Sequence, residues 1–430
     1  MGIGDTFKTF VGNLAVDNGD TISVRYGELT RALNQDFRQT DSRTANNLQV
    51  GSYGRWTAIK GISDLDMLYI VPASLWETYR DGGQSRLLTR ACDAMKARYP
   101  NTKIYVDRLV VRVLYQNFHI EVQPVFAEDD GGYTYPDTYK GGSWKYTNPR
   151  AEIRAMSEFD QQKNKNLRRL CKMARAWKNR HGMGMGGLLI DTLAHNFLKS
   201  TSIYDDKSYL YYDVMSRDFF KYLSDLPKQD YFMALGSGQR VKVKQNFQKS
   251  AGKAYDLCVK AIAAEGTDSQ NDKWRKVFGR QFPSAEAKAE TASVLKEDFS
   301  FTDTEQFFED FFPVDVRYPI RLECEVTQDG FRPHSLREFL AKAFRLKREK
   351  TLRFFVERHQ IPGDFDLHWK VLNRGYEARK RDCIRGQIFE DGGNLQNTET
   401  TDFYGDHIVE CAAVQNGVIV ARNRIKVPIE

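Results

Sequence analysis

No run of about 18 apolar residues, the length a helix needs to cross a bilayer, occurs anywhere in these 430 residues. The N-terminus lacks the basic-then-apolar pattern of a secretory signal. Six cysteines (Cys92, Cys171, Cys258, Cys324, Cys383 and Cys411) are scattered singly, and no two are spaced as Cys-x-x-Cys. That argues against a zinc ribbon or a disulfide framework and suits a reducing cytosol, so a cytoplasmic protein without a membrane partner is expected. Internal repeats and low-complexity tracts are missing as well. The charge excess is mild: a net +7 accommodates a polyanion but is too small to argue for genomic nucleic acid as an obligate substrate. What remains is an ordinary globular mixture, 28% charged and 41% hydrophobic, long enough for two domains. Met1-Gly2-Ile3-Gly4-Asp5-Thr6 fits the loose myristoylation pattern, which intact-mass measurement settles.

The most informative stretch is Gly51-Ser52-Tyr53-Gly54-Arg55-Trp56-Thr57, followed by Ser63-Asp64-Leu65-Asp66-Met67-Leu68-Tyr69-Ile70-Val71. A Gly-Ser turn leads into an Asp-x-Asp pair that opens an apolar strand. On a strand, residues i and i+2 share a face, so Asp64 and Asp66 present two carboxylates side by side. Adjacent carboxylates repel unless a cation sits between them. Mg²⁺ is commonly held by one or two carboxylates plus substrate phosphates, with Mn²⁺ as an alternative. The Gly-Ser turn offers close backbone approach and N–H donors to those phosphates. The pattern is that of nucleotidyl transfer.

A two-metal centre needs a further acid. The candidate is Glu121, on the strand Phe118–Phe126. On that strand alone, with His119 and Gln123 as polar neighbours, Glu121 reads as a surface residue; with Asp64 and Asp66 upstream it reads as the third ligand. Pro124 is expected to confine this strand to an edge or to end its pairing. Arg175, on the basic helix Arg168–Lys178, is the candidate phosphate clamp, against a solvated basic face shared with Arg169, Lys172 and Lys178. Gly182–Gly187 is glycine-rich but lacks the Lys-Ser/Thr of a phosphate loop and follows a helix, so it reads as an inter-helix turn. The seven histidines, His119 and His195 among them, show no ligand spacing and read as structural.

Periodicity gives a helix over Ile22–Phe37, a strand over Asp64–Val71, a helix over Leu75–Tyr99, strands between Lys103 and Phe126, and helices from Glu152 to Phe282. Ser284–Thr304 is polar and reads as a linker or frayed helix. Beyond it, Val316–Val326 alternates like a strand and Ser335–Gln360 reads as a basic helix. Strands follow at Trp369–Asn373, Cys383–Phe389, His407–Val414 and Val418–Val427. The expected domains are 1–290, a linker 291–312, and 313–430.

Gly51-Ser52, Asp64-x-Asp66, the strand Ile120-Glu121-Val122-x-Pro124-x-Phe126, and Arg175-Ala176-Trp177-Lys178 with Leu188–Leu193 resemble the bacterial CD-NTase family, relatives of cyclic GMP–AMP synthase and oligoadenylate synthase. The C-terminal part resembles the AGS-C sensor domain, on Leu367–Gly375, Arg385-Gly386-Gln387, Thr401–His407 and Ala421–Ile429. The resemblance implies an α+β fold: a polymerase-β-like nucleotidyltransferase core with a helical lobe, then a smaller, mostly β domain. It implies a cyclic oligonucleotide synthase that uses ATP and/or GTP with two Mg²⁺ ions to make an antiphage second messenger. A downstream effector would read the product, and a ligand or peptide would act at the C-terminal domain. Family roles carry over to Asp64, Asp66 and Glu121 as metal-binding acids, Gly51 and Ser52 as the nucleotide-binding turn, and Arg175 as the helix Lys. The third acid is usually Asp, and here it is one methylene longer. A nucleotide-binding sensor with little turnover, and a transferase that tags a protein or RNA end, are the alternatives.

Overall fold

The computed structural model describes residues 2–62, 64–116, 118–284, 306–328, 333–341, 346–373, 377–378 and 385–429. Chain contacts divide it into two compact units, one of residues 1–180 and 186–290, the other of 181–185 and 291–430. Ser63, Asn117, Cys383 and residues 285–305, including most of the expected linker, lie outside the described residues.

The first unit is built on a mixed sheet. Its strands are β1 (Asn47–Val50), β2 (Asp64–Ile70), β3 (Ile104–Asp107), β4 (Val110–Leu114), β5 (His119–Ala127), β6 (Tyr133–Asp137) and β7 (Ser143–Thr147). The order is β1-β2-β5-β4-β3, with β6 continuing from β5 and β7 from β6. Only β2 and β5 run parallel. Alternation along these two strands sorts their side chains. Leu65, Met67, Tyr69, Ile120 and Val122 enter a core shared with α2 (Gly19–Arg38) and α5 (Gln84–Arg98). The α2 stripe is the one expected, Leu29, Leu33 and Phe37. Asp64, Asp66, His119 and Glu121 alternate with the core residues and belong to the other face.

Pro124 sits in a central strand, not at an edge. It pairs in register with Tyr69 of β2, while the β4 ladder ends at Val122 and the β6 ladder begins at Phe126. The proline therefore occupies the gap between two partners, where its missing N–H costs no ladder bond.

A helical lobe completes this unit: α6 (Pro149–Gln162), α7 (Asn166–Arg180), α8 (Gly187–Lys199), α9 (Tyr212–Asp225), α10 (Gln248–Ile262) and α11 (Gln270–Phe278). Phe7 and Phe10, from the helix Ile3–Asn13, close it by ring contacts with Trp274, Phe278 and Phe282.

In the second unit two four-stranded sheets share one apolar core, with Leu322, Cys324, Leu352 and Phe354 from one sheet and Leu367, Trp369, Val371, Val409 and Val427 from the other. The sheets run β11-β10-β12-β15 and β14-β13-β16-β17. After the short pair β8 (Tyr231–Met233) and β9 (Arg240–Lys242) of the first unit, these are β10 (Ile320–Thr327), β11 (His334–Ser335), β12 (Thr351–His359), β13 (Asp366–Leu372), β14 (Arg385–Glu390), β15 (Gln396–Thr400), β16 (Gly405–Gln415) and β17 (Val418–Ile429).

The basic helix expected over Ser335–Gln360 is corrected here. Among the described residues of that span, Leu336–Ala341 is helical and Thr351–His359 is a strand. Leu352 and Phe354 alternate into the core, and Arg353 pairs across strands with Glu325 at 3.2 Å. The charges suggested a helix face; the period of two decides for the strand. Residues 306–312, expected as the end of the linker, pack on the second sheet. The Gln306 amide donates to the Gly386 carbonyl (2.9 Å), and Phe308 is buried.

Candidate active site

The parallel register of β2 and β5 sets Asp64 beside His119 and Asp66 beside Glu121. One ligand atom each from Asp64, His119 and Glu121 fall within 4.8 Å of one another. Oxygen donors of this kind fit a hard divalent cation. The imidazole is a softer donor, and its ring Nε2 lies 3.3 Å from Glu121 Oε1. His119 is buried, and its Nδ1 has no hydrogen-bond partner among the described residues. The sequence reading took His119 as structural; the missed signal was its place two residues before Glu121 on one strand face.

Glu121 is also held from the far side. Arg112, its register partner on β4, approaches it at 2.9 Å and reaches Asp107 at 3.0 Å. Asp66 is fixed by close packing. Gly51 adopts φ +64, and a Cβ there would lie 1.8 Å from an Asp66 carboxylate oxygen. Only glycine satisfies both the backbone and the contact. The Tyr26 hydroxyl donates to the Asp66 carbonyl. Burial first, then the Asp66 charge, raise the Tyr26 phenol well above its ordinary value, so it stays a donor. The first turn of the Gly-Ser segment, Gly51–Gly54, is a single helical turn, and the Ser52 carbonyl accepts the amides of Thr57 (2.9 Å) and Ala58 (3.1 Å). Gly51, Ser52, Asp64, Asp66 and Glu121 thus belong to one face and its bordering turn.

Arg175 does not present itself as a phosphate clamp. It is buried, with Nη1 on Asp191 at 2.6 Å and Nη2 on the Gly187 carbonyl at 3.1 Å. Asp191 also receives Arg55 Nε (2.9 Å) and the Thr57 hydroxyl (3.0 Å), and Arg55 continues to Glu152 at 3.1 Å. Burial alone would raise the Asp191 carboxyl, but Arg175 and Arg55 outweigh it and hold it at about 2. The helix α7 is buried nearly all round, from Leu167 to Lys178. Arg175 is therefore paired inside.

Of Arg169, Lys172 and Lys178, the residues set against a solvated basic face, Lys178 is buried, and the one that bears on the turn is Lys172. It is half-buried, and no carboxylate pairs with it among the described residues. Burial pushes its ammonium down, and Arg168 and Arg175 push the same way. One helical turn earlier on α7, Arg168 donates through Nε to the Arg55 carbonyl at 3.1 Å, at the end of the Gly-Ser segment. Lys172 therefore stands on the α7 face that borders the turn.

Known proteins frame this geometry. Residues 1–160 match the model of the Second Messenger Oligonucleotide or Dinucleotide Synthetase domain, and residues 302–430 that of the Adenylyl/Guanylyl and SMODS C-terminal sensor domain. No protein of curated function matches the sequence at a significant level. Among solved structures, CdnC of E. coli MS115-1, in its complex with HORMA-deltaN, is 14% identical with a TM-score of 0.51, covering 65% of this chain and 98% of that one. The apo form of Vibrio cholerae DncV is 15% identical, with a TM-score of 0.45 over 56% of this chain and 69% of that one. The STING-associated c-di-GMP synthase CdnE from Capnocytophaga granulosa is 15% identical, with a TM-score of 0.46 over 59% and 84%. The likeness to CdnC concerns the fold. With a synthetase domain at its start and a sensor domain at its end, the chain belongs to the CD-NTase nucleotidyltransferases that carry an AGS-C domain.

Proposed function

We propose that this enzyme joins ATP and/or GTP into a cyclic oligonucleotide that serves as a second messenger in antiphage defence. The observation that carries the reading is the pairing of Asp64–Asp66 with His119–Glu121 across two parallel strands, beside a Gly-Ser turn whose glycine no other residue can replace.

Asp64, Asp66 and Glu121 would hold a pair of Mg²⁺ ions, which when bound neutralise the triphosphate and polarise the acceptor ribose hydroxyl. The amides of the Gly51–Ser52 turn and the Lys172 ammonium bind phosphate oxygens, a role that replaces the one assigned to Arg175. Glu121 Oε accepts the proton of the ribose hydroxyl, and His119 and Arg112 keep that carboxylate oriented. The hydroxyl oxygen bonds to the α-phosphorus, the bond to the β-phosphate bridge breaks, and pyrophosphate leaves. A second transfer closes the ring. Regulation falls to the C-terminal domain.

The test is incubation of the pure protein with the four nucleoside triphosphates and Mg²⁺ or Mn²⁺, followed by nuclease digestion and mass spectrometry. A small nuclease-resistant product containing A or G is expected. Label on a macromolecule would move the reading to a tagging transferase. Binding without turnover under every condition would leave a nucleotide sensor, a reading that Glu121 in the third acidic position favours.

A further inference from the structure

The stretches of the C-terminal sequence that carry the sensor resemblance lie on different elements: Leu367–Gly375 on and after β13, Arg385–Gln387 on β14, and Thr401–His407 between β15 and β16. Their described residues meet at one end of the sandwich, around a cavity of about 140 Å³. Its walls are Leu352 and Phe354 from one sheet and Val371, Val409 and Val427 from the other. A well-packed core leaves few voids of this size, since each costs contacts on every side. A cavity of about 150 Å³ with such a lining accepts a benzene ring.

The mouth carries one matched ion pair and a further acid, Asp402. Arg385 forks onto Glu399 with contacts of 2.5 and 3.1 Å, and the His407 ring lies 3.3 Å from the Phe403 carbonyl. An incoming anion would meet Asp402 and would have to displace Glu399 from that fork; an uncharged molecule meets neither cost. Thr400 also borders the mouth and carries a neutral hydroxyl.

The same strands hold something on their outer face. Val371 and Val409 alternate with Lys370 and Glu410, which pair at 3.0 Å. Lys370 also donates to the Gln306 carbonyl at 3.2 Å, and Arg422 pairs with both Glu410 and, at 2.8 Å, Glu309. Segment 306–312 is thus fastened to the back of the strands that line the cavity.

We propose that this cavity is a binding site for a small uncharged molecule with one ring-sized apolar body and one hydrogen-bonding group, and that its occupancy tightens segment 306–312 through β13 and β16. Binding is read directly, so it stands or falls separately from the synthase reading.

The probe is phenol, with benzoate as its charged counterpart, titrated into the full-length protein by calorimetry. Phenol should bind saturably with a Kd below about 1 mM, benzoate at least about tenfold more weakly, and Val409→Phe should abolish phenol binding because its ring fills the space. Bound phenol should slow amide exchange of residues 307–310. Val427→Met serves as the filling variant should Val409→Phe melt early. Absence of saturable phenol binding, equal binding of benzoate, or undiminished binding by a folded filling variant would overturn the proposal. Binding with no change in exchange at 307–310 would overturn the coupling to the segment.

Discussion

Two polar clusters of the first unit differ in one respect that separates structure from chemistry. Around Asp191, two guanidiniums (Arg55 and Arg175) meet two carboxylates (Asp191 and Glu152), all buried. The charges balance, and the cluster ties α7 and α8 to the Gly-Ser segment through Thr57 and Arg55. On the β2–β5 face, the carboxylates of Asp64 and Glu121 gather with a buried imidazole and one guanidinium, and Asp66, on the same face, is bordered by a glycine that admits no side chain. The first cluster is closed on itself and braces; the second concentrates acid on the face where the proposed function puts a triphosphate and cations. A basic residue near a nucleotide site is not thereby a nucleotide ligand, and Arg175 belongs to the brace.

The sharpest way to break this contrast is at Glu121. Replacing it with Ala should lower turnover by about 10³-fold, the scale of losing a group that acts on the transition state, with an unchanged melting curve. Glu121→Asp should keep activity within about tenfold. Arg175→Met should instead destabilise the fold by on the order of 3–5 kcal/mol, because a buried carboxylate loses a partner, as read by denaturant unfolding. Normal stability with lost activity would return Arg175 to the active site.

Acid provides the next test. Asp191 is held at about 2 by its two arginines, against about 3.9 in an unfolded chain. A lowered carboxyl stabilises the fold above the unfolded value and loses that contribution as pH falls through the folded one. Glu152, raised first by burial, runs the opposite way. Asp191→Asn should therefore flatten the fall in melting temperature between about pH 4 and pH 2. Smaller still, Lys172→Met should raise the nucleotide KM about tenfold, the worth of one charge-assisted contact, and leave stability within about 0.5 kcal/mol. Trp56, between Arg55 and Thr57 in the chain, holds φ +62 while 71% exposed. Trp56→Gly should stabilise the fold by about 1 kcal/mol, and a fall in activity would show that the strained, exposed ring serves the site.

Much of the acidic face was legible because strand alternation is local. The period of two in Asp64–Val71 and Phe118–Phe126 places the acids opposite the core residues, and the Gly-Ser segment marks the turn. His119 obeyed the same rule and was passed over because no second histidine stood at ligand spacing. The burial of Arg175 was not legible, because spacing gives a helix face but not what covers it. Thr351–His359 was misread because its partners, β10 and β15, lie far along the chain, and its charges carry high helix propensity. Pro124 was correctly seen as interrupting pairing, yet its central position depends on β6 arriving where β4 stops.

The central claim is that nucleotidyl transfer occurs on the face of Asp64, Asp66 and Glu121. Its most direct test is product formation from labelled ATP and GTP by the wild type and by the Asp64→Asn, Asp66→Asn double variant, each shown to be folded. The account predicts a cyclic product from the first and none from the second. The same product from both would contradict it.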